Sequence, residues 1–246
     1  MKIIKLHMAG MALGLIWLAG CEDSKTARPT VSEKPGGAAP APAGNEVAKL
    51  DAALVRIVNA DPTNLSTSYK FQDRLISTHV PYMGISEFTP VEEGTGRLLL
   101  ENEVAPKEVA ATTQTFVKGN RYTIVRMTNS ADKVELNVIN DKMTPPAEGK
   151  AKVRFVVASP WLGEFTIASA APGKKAFQSL EPHTTMDYAD VDPYEGALEL
   201  YGKSNRKLVG KVDGVKFEAG KLYTVIILGG RNNLPVEKLI LVDKFV

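Results

Sequence analysis

The sequence predicts an all-β protein with two tandem antiparallel β-sandwich domains behind a disordered tether. Apolar residues beyond position 53 come in short runs rich in β-branched side chains, separated by Gly, Pro, Asn or Asp, which is typical of strands. The same part of the chain repeats itself after about 100 residues, an interval that suits a small domain with its own core. Beyond the N-terminus, no segment has a convincing helical period.

The first 20 residues have the organisation of a signal peptide. Lys2 and Lys5 give a positive start, residues 8–18 form an apolar stretch, and Ala19 and Gly20 supply small residues beside a cleavage site. The stretch is shorter than the roughly 20 apolar residues that cross a bilayer. We therefore expect residues 1–20 to be removed, with an uncleaved anchor helix as the alternative.

The segment Leu18-Ala19-Gly20-Cys21 resembles the lipobox of bacterial lipoproteins. The resemblance implies a mature chain that begins at an acylated Cys21 and has the lipid bilayer as a partner. Because Cys21 is the single cysteine, acylation would leave neither a thiol nucleophile nor a disulfide. We expect a cell-envelope location, with the outer membrane favoured over the inner because Glu22, rather than aspartate, follows.

Charge and composition limit the other partners. The full chain has 30 Lys and Arg against 28 Asp and Glu, so loss of Lys2 and Lys5 makes the mature chain neutral. A neutral chain without a cluster of five or more Lys or Arg residues is not expected to bind nucleic acid. Residues 21–52 form a flexible linker rich in Pro, Gly and Ala, whose roughly 30 residues span on the order of 30 Å. A proline-motif ligand is the alternative for this linker.

The repeat sets the domain boundaries. The segment Val55–Pro62 returns as Val153–Pro160 with the shared pattern Val-Arg-x-Val-x-Ala-x-Pro. Residues 143–149 contain two adjacent prolines, which interrupt regular structure. We therefore expect a first β-sandwich at 53–142, a linker at 143–149 and a second β-sandwich at 150–246.

A second repeated motif, Phe-x-x-Gly-x-x-Tyr-Thr, contains Gly119 and Tyr122 in the first copy and Gly220 and Tyr223 in the second. It resembles the tyrosine corner of immunoglobulin-like and fibronectin-like sandwiches, in which a buried tyrosine hydroxyl bonds to the backbone upstream. The resemblance implies an immunoglobulin-like fold with structural tyrosines. Catalytic or ligand-binding phenols are the alternative.

Together the lipobox and both repeated motifs resemble the bacterial secreted family named domain of unknown function 4397, over roughly residues 53–246. The resemblance implies tandem β-sandwich units on an exported protein and no assigned activity. Asp61 and Val157 depart from the Asn-Ala-Ser-Pro pattern usual in that family.

Groups suited to catalysis are scarce. Only His79 and His183 remain after removal of the leader, and the sequence has no zinc-protease motif, nucleophile elbow or phosphate loop. We predict a protein that is not an enzyme and uses no cofactor.

Two features are candidates for binding. An acidic segment contains Asp187, Asp190 and Asp192, whose oxygens suit calcium, but a solvent-facing sheet edge is the favoured explanation of these carboxylates. Trp161 follows the repeated Ala-x-Pro motif, where it is a candidate platform for a sugar or a proline, or fills the junction between the domains.

Two functions follow from these observations. The leading hypothesis is a structural or adaptor lipoprotein that presents two β-sandwiches to another envelope protein or a polymer. The alternative is a small-ligand, glycan or calcium-binding module.

Overall fold

The structure is a computed structural model that describes residues 51–63, 65–170, 176–181, 184–230 and 235–243. The predicted signal peptide, the predicted acylation site Cys21 and His183 lie outside the described residues, as does almost all of the predicted linker at 21–52. The described residues form sixteen strands and no helix. The predicted fold class, all-β with tandem β-sandwiches, is confirmed.

The first sandwich contains eight strands in two sheets. One sheet has the order β4-β1-β7-β8 and the other the order β3-β2-β5-β6. The strands are β1 (Ala53–Asn59), β2 (Thr67–Phe71), β3 (Arg74–Ser77), β4 (Thr89–Val91), β5 (Gly94–Asn102), β6 (Glu108–Phe116), β7 (Arg121–Thr128) and β8 (Val134–Asn140).

The second sandwich repeats this arrangement. Its sheets have the orders β12-β9-β15-β16 and β11-β10-β13-β14, so every strand has a counterpart in the first sandwich. The strands are β9 (Ala151–Val157), β10 (Phe165–Ser169), β11 (Ala176–Leu180), β12 (Ala189–Val191), β13 (Tyr194–Gly202), β14 (Leu208–Phe217), β15 (Leu222–Gly229) and β16 (Val236–Asp243).

Two details differ from the sequence prediction. Strand β1 pairs in parallel with β7, and β9 pairs in parallel with β15, so the sheets are mixed rather than wholly antiparallel. The direction of the chain alternates from one strand to the next. Strands β1 and β7 therefore run the same way, as do β9 and β15. The order also differs from the immunoglobulin order, in which the first two strands share a sheet, because here the chain crosses between the sheets after β1.

Each sandwich has its own apolar core, and a third apolar cluster joins the two sandwiches. The cluster combines Val58 and Val125 of the first sandwich with Val156 and Ile226 of the second, all fully buried. Strands β1, β7, β9 and β15 are therefore covered on both faces, which explains their nearly continuous apolar runs. Strand β6 instead alternates between exposed and covered residues. The two sandwiches are packed face to face.

Candidate functional site

Between the two sandwiches lies a cluster of buried polar side chains, which we call the polar clasp. Its six members come in matched pairs, one from each sandwich, about 100 residues apart in the sequence. They are Arg56, Thr123 and Asp141 of the first sandwich and Arg154, Thr224 and Asp243 of the second.

In one half of the polar clasp, Arg56 on β1 reaches across to the second sandwich. Its terminal nitrogen donates to Asp243 Oδ1 at 2.5 Å, and its Nε donates to Thr123 Oγ1 at 2.8 Å. Thr224 Oγ1 donates to the other oxygen of Asp243 at 2.8 Å. The carboxylate of Asp243 thus accepts hydrogen bonds from both sandwiches.

The other half repeats these contacts with the sandwiches exchanged. Arg154 on β9 donates from Nε to Thr224 Oγ1 at 2.8 Å and from its terminal nitrogen to Asp141 Oδ1. Thr123 Oγ1 donates to Asp141 Oδ2 at 2.7 Å. The polar clasp therefore has approximate two-fold symmetry, and each arginine binds the aspartate of the opposite sandwich.

Aromatic rings cover both arginines of the polar clasp. The guanidinium carbon of Arg56 lies 4.9 Å from the ring centroid of Phe88, and that of Arg154 lies 4.5 Å from the ring centroid of Tyr188. Tyr188 also donates its hydroxyl to Asp243 Oδ2 at 2.7 Å, and burial raises the pKa of that hydroxyl, so it remains a neutral donor. Burial likewise raises the pKa of Asp141, against the lowering effect of Arg154 and Arg56. These side chains satisfy one another's hydrogen-bonding groups. The arrangement suits a network that holds the two sandwiches in one orientation rather than a site that reacts with a substrate.

Further along β1 and β9, the same face opens into a cleft of about 180 Å³, which we call the junction cleft. Both sandwiches contribute to it. It is lined by Ala60, Pro62, Tyr82 and Thr128 of the first sandwich and by Ala158, Trp161, Gly229, Pro235 and Glu237 of the second.

Trp161 therefore lines a cleft and also lies at the junction between the sandwiches, as both interpretations of this residue require. In the lining of the same cleft, the Tyr82 hydroxyl donates to Glu237 Oε2, and burial raises the pKa of Tyr82. Two aromatic residues, two prolines and one carboxylate make a site that suits a small, largely apolar ring.

The first sandwich also contains a buried ion pair that the sequence analysis missed. Arg126 donates to Asp61 Oδ2 from Nε at 2.8 Å and from a terminal nitrogen at 2.6 Å, and both side chains are fully buried. Burial opposes ionisation of Asp61, but hydrogen bonds from Thr63 and Thr128 and the charge of Arg126 together lower its pKa. The signal in the sequence was an arginine within the apolar run of β7.

The corner tyrosines make backbone contacts. The Val117 N–H donates to the Tyr122 hydroxyl at 3.1 Å, and the Glu218 N–H donates to the Tyr223 hydroxyl at 2.9 Å. Gly119 and Gly220 have φ angles of +77° and +78°, values that favour glycine. These residues fix the connection between the two sheets of each sandwich.

The acidic segment holds the linker to the second sandwich. Asp190 Oδ1 accepts a hydrogen bond from the Ala147 N–H at 3.1 Å, and Asp192 forms an ion pair with Lys150 at 2.5 Å. Asp187 is exposed. Within the part of the chain that the structure describes, no three His, Cys, Asp or Glu side chains are grouped closely enough to hold a metal ion. His79 is exposed in the connection after β3.

Comparison with known families gives a match to part of the chain. The family described as Domain of unknown function (DUF4397) matches residues 53–168, which include the whole first sandwich and the second as far as β10. No curated protein matches the chain. No helix among the described residues is long and apolar enough to span a membrane.

Proposed function

We propose that this protein is a lipid-anchored envelope protein that serves as a structural or adaptor module, presenting two joined β-sandwiches to another envelope protein or a polymer. The observation that carries the proposal is the buried face between the sandwiches. The polar clasp and the third apolar cluster give the two sandwiches one fixed relative orientation. Surfaces on both sandwiches are then held at a set distance, as a spacer or adaptor requires.

The anchor part of the proposal rests on the sequence. The lipobox-like segment before Cys21 supports cleavage and acylation there, and more than one acyl chain gives stable attachment. Residues 22–52 then serve as the tether between the bilayer and the folded part. Glu22 favours the outer membrane. The proposed role requires neither catalysis nor a cofactor.

The proposal is tested by crosslinking the tagged protein in intact envelopes and identifying captured proteins by mass spectrometry, with Cys21→Ala as the matched control. We expect a reproducible partner that is captured by the anchored protein and lost in the control. Capture of the same abundant envelope proteins by both forms would contradict an adaptor role.

A second candidate function is that of a small-ligand or glycan-binding module, favoured by the placement of Trp161 and Tyr82 in the junction cleft. A specific ligand at 100 times its Kd would stabilise the fold by about 2.7 kcal/mol. The test is a thermal-shift screen with glycans and aromatic compounds, in which Trp161→Ala should abolish any shift. Calcium belongs in the same screen, with Asp187→Asn as its control.

A further inference from the structure

The two sandwiches present a pair of matched hairpin turns. We call residues 103–107, between β5 and β6, the first turn, and residues 203–207, between β13 and β14, the second turn. The Asn102 N–H donates to the Lys107 carbonyl and the Gly202 N–H donates to the Lys207 carbonyl, both at 2.9 Å. Each turn also donates a 3.0 Å backbone hydrogen bond to the connection after the first strand of its sandwich. The two turns are therefore closed and attached by corresponding backbone hydrogen bonds, although Pro106 and Arg206 differ in backbone conformation.

The side chains of the two turns differ sharply in charge. The second turn carries Lys203, Arg206 and Lys207. The corresponding residues of the first turn are Glu103, Pro106 and Lys107, so only the last position is basic in both. Because both turns close with matching backbone hydrogen bonds, closure of the hairpin does not require the three positive charges.

Arg206 also occupies a position that does not favour arginine. Its φ angle is +53°, in the left-handed region that glycine and asparagine adopt more easily. Its backbone is held there by a 2.8 Å hydrogen bond from the Arg206 N–H to the Gly202 carbonyl. A residue held in an unfavourable backbone region is a candidate for a role of its side chain.

The charges of the second turn are accessible. Lys203 is paired with Glu164 at 2.7 Å, but both side chains are about half exposed, so the pair is weak and easily exchanged. Glu181 is the other acidic group that acts on Lys203. Neither Arg206 nor Lys207 forms an ion pair with any residue that the structure describes, and both are exposed.

An exposed apolar side chain lies beside these charges. Leu208 is 54 % exposed directly after the second turn, where the first sandwich has Glu108. Basic residues next to an exposed leucine can bind an anionic bilayer surface, because the cations approach the phosphates while the apolar group enters the interfacial region.

We propose that the second turn docks onto a bilayer surface that contains anionic phospholipids, as a contact additional to the acyl anchor. The inference rests on the proposed function in one respect, since the anchor and a tether of roughly 30 residues keep the turn within reach of the bilayer. Docking at this turn alone would fix which end of the two-sandwich body faces the lipid.

The experiment uses the mature protein purified from membranes, in which acylation would consume the thiol of Cys21. Ser204→Cys introduces one labelling site in the second turn, and Val104→Cys introduces the matched site in the first. Each is labelled with an environment-sensitive fluorophore and mixed with vesicles of phosphatidylcholine, with or without phosphatidylglycerol. We expect a blue shift at position 204 that requires phosphatidylglycerol and falls with added salt, and none at position 104.

Neutralising variants then test the charges. Each cation near an anionic surface contributes about a fivefold change in docking equilibrium, so Lys203→Gln, Arg206→Gln and Lys207→Gln together should weaken docking on the order of 100-fold. Lys107→Gln in the first turn is the matched control and should have no effect. All four positions are exposed, and unchanged circular dichroism spectra would show that the variants remain folded.

Two results would overturn the proposal: no shift that depends on phosphatidylglycerol, or a shift that the triple variant retains. A third result would show that the second turn binds a soluble polyanion rather than the bilayer. That result is full displacement of the protein from the vesicles by dextran sulfate, together with no effect of Leu208→Ser on docking. The anchor is judged separately by whether the protein floats with both kinds of vesicle. If the protein does not float, Cys21 is replaced by alanine before labelling, and the fluorescence comparison is made with excess lipid.

Discussion

Removal of one carboxylate from the polar clasp should strongly destabilise the protein. In Asp141→Ala, the Arg154 side chain loses its charge partner and Thr123 loses an acceptor. The side chains of Arg154 and Asp141 are only 3 % and 0 % exposed. A buried charge that loses its partner costs about 3–5 kcal/mol, and we expect the free energy of unfolding to fall by about that amount.

The matched control is an ion pair on the surface. Arg97 and Glu108 also form a carboxylate–guanidinium contact, but their side chains are 58 % and 52 % exposed. Water solvates the remaining partner there, so Glu108→Ala should cost less than about 1 kcal/mol. The contrast between the two variants isolates the effect of burial.

Urea unfolding followed by far-ultraviolet circular dichroism measures both variants against the parent. Asp141→Ala, Arg154→Ala and the double variant complete a thermodynamic cycle, in which the double variant should cost less than the sum of the single variants. A loss below about 1 kcal/mol for Asp141→Ala, equal to that of the surface control, would refute the reasoning that the polar clasp is a buried, mutually dependent cluster.

Three further predictions concern other parts of the chain. Tyr122→Phe and Tyr223→Phe should each lower the free energy of unfolding by about 1–3 kcal/mol, since each tyrosine is buried and a partly buried backbone N–H loses its acceptor; unchanged urea midpoints would contradict a corner role. Because hydrogen bonds from Thr63 and Thr128 and the charge of Arg126 lower the pKa of Asp61 in the folded state, its ionised carboxylate stabilises the fold, and this contribution is lost as the pH falls through the folded-state pKa. The stability advantage over Asp61→Asn should therefore shrink on acidification, and a pH-independent difference would be the contrary result. Cys21→Ala should abolish acylation and release the protein from membranes with an unchanged circular dichroism spectrum, whereas loss of folding would contradict the anchor-and-tether proposal.

The strands and the fold class could be predicted from the sequence because they depend on local patterns. Runs such as Val153–Val157 and the paired Gly-x-x-Tyr motifs report strand propensity and turn geometry directly. The face-to-face packing is different. Strands β1 and β7 have apolar residues on both faces, and this signal indicates that the outer face is covered, but it does not say by what.

The polar clasp illustrates the same limit at the level of single residues. Arg56 and Arg154 occupy the same place in the repeated motif, so their equivalence was visible. Their partners Asp243 and Asp141 belong to the opposite sandwiches, and no spacing within one repeat indicates an exchange of partners. Asp190 is a similar case, because its contact with the Ala147 backbone depends on how the linker folds back.

The most direct test of the account is whether the two sandwiches move as one body. Nitrogen-15 relaxation of backbone amides gives a rotational correlation time for each sandwich separately. The buried face predicts one common correlation time, appropriate to the whole folded part, for the β1–β8 and β9–β16 amides. Two shorter correlation times, each appropriate to a single sandwich, would contradict the fixed orientation on which the proposed function depends.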